Sequence, residues 1–63
     1  MNEHTDTSSF IKIYSNLPFK VREEIIVVVE GEPISWNVAY KEIINNTDKG
    51  REIFNKLVSL KII

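Results

Sequence analysis

The sequence predicts an all-α fold, four short helices in a compact single domain, and three of its features point there. Its 63 residues allow one hydrophobic core and leave no room for a second. Apolar residues return at the i, i+3, i+4, i+7 spacing of an amphipathic helix in successive windows. Between those windows stand residues that start and stop helices: Ser, Thr or Asn before, Pro in the first turn, Gly past the end.

Residues 1–7 have no hydrophobic periodicity, which predicts a flexible N-terminal tail ahead of a single helical domain over 8–63. Ser8 or Ser9 is placed to cap a first helix whose apolar stripe is Phe10, Ile13, Tyr14 and Leu17, with Ile11 outside it. The next segment, Leu17 to Gly31, carries opposed signals. Ile25 to Val29 is an unbroken β-branched run, which suits a buried strand and lowers helix propensity. The punctuation suits a helix instead. Asn16 and Pro18 stand at its start, Gly31 just past its end and Pro33 beyond, while Val21, Ile25, Val28 and Val29 share one helical face. Pro33 would also weaken the second strand of a hairpin turning at Glu30-Gly31. A helix is therefore expected, with an α+β fold containing a small hairpin of residues 25–29 and 33–36 as the alternative.

Ser35 is a good N-cap for a third helix, with Ile34 before it able to staple onto Ala39. Trp36, Ala39, Tyr40, Ile43 and Ile44 would line its inner face, leaving Asn37, Lys41, Glu42 and Asn45 outward. Asn45-Asn46 ends that helix, and Thr47 with Asp48 opens a fourth running to about Lys61. Ile53, Phe54, Leu57 and Val58 would face inward, with Leu60 at the margin. Gly50 in the first turn costs up to about 1 kcal/mol against Ala, so it marks either a close helix contact or a chance surface glycine.

The composition closes several functional classes. With no cysteine there is no disulfide framework, thiolate zinc site, iron–sulfur cluster or cysteine nucleophile, and a reducing compartment is expected. No apolar run approaches the roughly 18 residues of a membrane span, and Met1 to Ser9 is polar where a signal peptide would be cationic and then apolar. The expected localisation is cytoplasmic. A net charge of −1 removes the overall basic field of a protein that coats nucleic acid.

Groups for catalysis are scarce. The only histidine, His4, falls in the expected tail, where no neighbouring residue offers it metal-ligand spacing. Glu23 and Glu24 would diverge by about 100° on a helix, so they read as a solvated face. Glu30-Gly31-Glu32 supplies too few oxygens for calcium, and Lys49-Gly50-Arg51 resembles no phosphate loop. Ser35 lacks a base and reads as a cap; Asn45-Asn46-Thr47 matches a glycosylation acceptor but reads better as a helix boundary. Trp36 and Tyr40 would serve as core anchors before a stacking platform. No enzyme activity, cofactor or metal is expected.

The expected function is a small non-enzymatic protein–protein interaction module or accessory subunit. A chain of this size buries only about 60 % of its unfolded surface, so four Ile- and Val-rich helices would associate, with themselves as a homodimer or higher oligomer, or with a larger protein. Ile11, Val27, Ile62 and Ile63 fall off the core stripes and are the expected contact residues. The alternative is a helix-turn-helix-like DNA-binding regulator using 48–61, with Lys49, Arg51, Asn55 and Lys56 on its outer face.

Overall fold

The computed structural model describes residues 7–63 and corrects the expected fold: the chain is a small α+β domain, three helices and one two-stranded antiparallel hairpin. In chain order these are α1 (Ser8–Ser15), a short 3-10 turn (Val21–Glu23), β1 (Ile25–Val29), β2 (Glu32–Ser35), α2 (Trp36–Ile44) and α3 (Asp48–Ser59). His4 and all of the expected tail except Thr7, which precedes α1, lie outside the described residues.

The helix expected between Leu17 and Gly31 does not form, and each of its signals has another use. Pro18 does start a helical turn, its carbonyl accepting from the Val21 and Arg22 N–H groups, but the turn stops at Glu23. From Ile25 onward the β-branched run takes the extended backbone its crowded χ1 angles prefer. Gly31 has φ 79° and Glu30 φ 51°, so the two form a hairpin turn of type I′, whose twist matches that of the strands. The positive φ that suits glycine just beyond a helix serves equally here.

Register explains why Pro33 is tolerated. Val29 pairs with Glu32, Val28 with Pro33 and Val27 with Ile34, and an irregularity at Ile26 brings Ile25 opposite Ser35. In a two-residue hairpin the pair next to the turn is hydrogen-bonded and the following pair is not, so the nitrogen of Pro33 points away from β1 and no ladder bond is lost. The alternation also sorts the faces. Val27, Val29 and Ile34 are buried, whereas Val28 and Pro33 are exposed.

The core joins the three helices and both strands. Phe10 of α1, Val27 and Val29 of β1, Ile34 of β2, Ala39 and Ile43 of α2, and Ile53, Phe54 and Leu57 of α3 form one buried cluster. Ser35 caps α2 by accepting from the Val38 N–H at 3.2 Å, and Thr47 caps α3 by accepting from the Gly50 N–H at 2.8 Å, as their positions in the sequence predict. Two residues expected inward, Ile44 and Val58, are exposed, and Ile11, expected outside its stripe, packs partly buried against the core.

Gly50 is a contact point between helices. A Cβ built there would lie 2.2 Å from the Glu42 carbonyl oxygen, so only glycine lets α3 approach α2 this closely. The same corner is tied by the Thr47 hydroxyl, which donates to a Glu42 carboxylate oxygen at 2.7 Å. A second seam is aromatic. Tyr14 stacks on Tyr40 at 4.2 Å between centroids and donates its hydroxyl hydrogen to Asn37 Oδ1 at 2.6 Å, while Phe10 stacks with Trp36 at 5.8 Å. The Arg22 guanidinium lies over both Tyr14 and Phe19, at 4.4 and 4.7 Å, fixing the 3-10 turn to α1 by cation–π attraction.

Candidate interaction surface

The hairpin is the element with an unfinished side. Among the described residues the sheet has two strands, so β1 is paired with β2 along one edge and with no described strand along the other. Val28 stands at a non-hydrogen-bonded pair, so its N–H and C=O point out of the free edge. Among the described residues no backbone or side-chain hydrogen bond from outside the hairpin reaches Ile25 to Val29; the nearest is the Trp36 N–H donating to the Glu24 carbonyl just before the strand. Natural edges are usually blunted by lysine, proline or a covering loop. β1 has neither residue, and its Ile25 and Val28 side chains are 55 % and 50 % exposed.

Acidic residues bracket this edge. Glu23 and Glu24 precede β1, and Glu30 and Glu32 follow it in the turn and in β2. Glu32 is paired with Lys49 of α3 at 2.8 Å, which raises the Lys49 pKa above its usual value through that hydrogen bond. Glu30 faces Glu52 of α3 instead. Their hydrogen bond, followed by the repulsion of the neighbouring charge, holds the Glu52 carboxyl above its ordinary pKa, while Lys56 on the same helix acts the other way.

The sequence-derived contact residues are dispersed. Val27 is 6 % exposed in the core, so its side chain offers no surface; it was placed outside a helical stripe, and the strand turns it inward. Ile11 and Ile63 are partly buried against the core, whereas Ile62 is exposed beyond α3. Ile25 and Val28 were missed because the helical period set them on an inner face. Period-two alternation through the β-branched run would have turned Val28 outward.

The proposed nucleic-acid residues all lie on α3, and two of its cations are already engaged. Lys49 pairs with Glu32, and Arg51 pairs with Asp48 and donates to Asn46 Oδ1 at 3.5 Å. Asn55 and Lys56 are exposed. A cleft of about 440 Å3 opens beside them, floored by Ile43, Gly50 and Phe54 and rimmed by Asn46, Arg51 and Asn55. Among the described residues Arg51 is the one charged side chain of the rim, and it is paired with Asp48. Thr7 completes the lining among those residues.

Among the described residues no group of three or more His, Asp or Glu side chains is arranged to hold a metal ion, and no helix is long and apolar enough to cross a membrane. No protein-family model, curated protein or solved structure matches this chain.

Proposed function

We propose that this protein is a non-enzymatic protein–protein interaction module that works through the open side of its hairpin. The observation that carries this reading is β1: a β-branched strand paired on one edge only, with two exposed apolar side chains and no residue that discourages further pairing. The absence of cysteine fits a reducing, cytoplasmic setting. The contact residues are Ile25 and Val28, with Ile62 a second exposed position beyond α3.

A DNA-binding role for α3 has less support. Its Lys49 and Arg51 are neutralised by acidic partners, and Glu30 and Glu52 put further negative charge beside and on the same helix. Phosphate contact would have to break those pairs first.

The test compares association of the native protein with Val28→Lys and with the double variant Ile62→Asp, Ile63→Asp, by sedimentation and by capture of labelled partners. Loss with Val28→Lys alone supports the hairpin side, and loss with the double variant alone moves the contact to the C-terminus. Association that neither change affects overturns both assignments. Binding to duplex DNA that falls steeply with salt would favour the α3 reading instead.

A further inference from the structure

We propose, building on the interaction reading above, that the free edge of β1 accepts an extended segment of another protein as a third strand, apolar in its centre and basic at both ends. The backbone supplies the docking groups. Val28 presents an unpaired N–H and C=O outward, and a strand of this length matches a partner segment of about five to seven residues. The side chains supply the centre. Ile25, Val28 and the adjoining Pro33 make one exposed apolar strip on the face opposite the core, so alternate partner residues that are Val, Ile or Thr would bury it.

Charge fixes the ends. Glu23 and Glu24 lie at the start of the edge and Glu30 at its finish, and among the described residues none of these three makes an ion pair. At the finish Glu30 also faces Glu52, so a cation arriving there relieves a repulsion already present in the free protein. A second copy of the chain fits this edge poorly. Two β1 strands paired antiparallel about Val27 bring Glu24 of each copy toward Glu30 of the other at both ends. Like charges directly opposite are destabilising in a sheet, so the edge selects a different, basic-flanked chain and discourages self-pairing.

The probe is a blocked nonapeptide, Lys-Lys-Val-Thr-Val-Thr-Val-Lys-Lys, titrated into isotopically labelled full-length protein, with the same peptide bearing Glu at its four end positions as comparison. The lysine-ended peptide is expected to shift the Val28 amide and to bind roughly tenfold tighter than the glutamate-ended one, with the preference shrinking as salt rises. Val28→Pro removes the outward N–H at a position where no ladder bond depends on it, and should abolish the Val28-centred binding. Glu24→Lys with Glu30→Lys leaves the strand intact and should reverse the preference toward the glutamate-ended peptide. Binding indifferent to both variants, or no shift at Val28 with either peptide, overturns the proposal. A Val28 shift that grows with protein concentration alone overturns it in favour of a second copy. If Val28→Lys still abolishes association while the peptides fail to bind, the interaction reading stands and this occupant falls.

Discussion

Two glycines and the residue beside one of them show how differently single positions can be constrained. Gly31 has open space around its α-carbon but a backbone in the left-handed region, whereas Gly50 has an ordinary backbone and no space. Gly50→Ala is thus a test of sterics. Helix propensity alone would make it stabilising by about 1 kcal/mol, but the clash with the Glu42 carbonyl should reverse the sign and destabilise by roughly 1–3 kcal/mol in denaturant unfolding. Glu30 holds φ 51°, a conformation that asparagine tolerates better than glutamate, and it faces Glu52. Glu30→Asn should raise the midpoint of thermal unfolding by a few degrees, since both effects favour the same direction; a lowered midpoint would show that the Glu30 side chain makes a favourable contact.

At the scale of elements, the boundaries of α2 and α3 were legible because their determinants are local. A hydroxyl at Ser35 or Thr47 accepts from an N–H three residues on, and nothing distant needs to be known. Thr47 also donates to Glu42, so Thr47→Ala should cost about 1–2 kcal/mol, the upper part of the range for a cap, and Thr47→Ser should recover most of it. Unfolding curves of the two variants decide this. The hairpin was harder to read. Its glycine and prolines fit a helix as well as a turn, and whether Pro33 sits at a damaging position depends on register, which depends in turn on which valines the core accepts. Five adjacent β-branched residues were the decisive local signal, and they outweighed the punctuation. The site followed the same division: the exposed edge became visible only after the strand was known, because strand and helix periods turn Val27 and Val28 to opposite sides.

Across the whole molecule, small size makes each core residue matter. At roughly 0.05–0.15 kcal/mol per residue, a domain of 63 residues is stable by only about 3–9 kcal/mol. Phe10 is fully buried and is the sole fully buried residue that α1 contributes. Phe10→Ala, at about 3–5 kcal/mol, should therefore leave a large unfolded fraction at room temperature, measurable by loss of Trp36 fluorescence structure or of ellipticity. Stability should also depend on pH through Glu52. Glu30 faces it from the hairpin turn and Lys56 from its own helix, and the net effect raises its folded pKa above the unfolded value of 4.5. The folded state thus holds the proton more tightly, so this group favours folding increasingly as pH drops through the raised pKa and loses that contribution as pH climbs back toward neutral. Glu30→Gln should flatten this part of the stability profile between neutral pH and the ordinary carboxylate range.

β2 ends at Ser35 and α2 begins at Trp36, so strand and helix join with no intervening linker. Ser35 is both the last residue of a ladder and the cap of a helix, and Trp36 reaches back to the Glu24 carbonyl ahead of β1. There is no hinge at which one could loosen while the other stays formed. Hairpin and α2 should open as one cooperative unit in native-state hydrogen exchange, with the amides of Val27 and Ile43 released at the same free energy. Strain applied along β2 should therefore pass directly into α2, whose last turn meets α3 where Glu42 lies against Gly50.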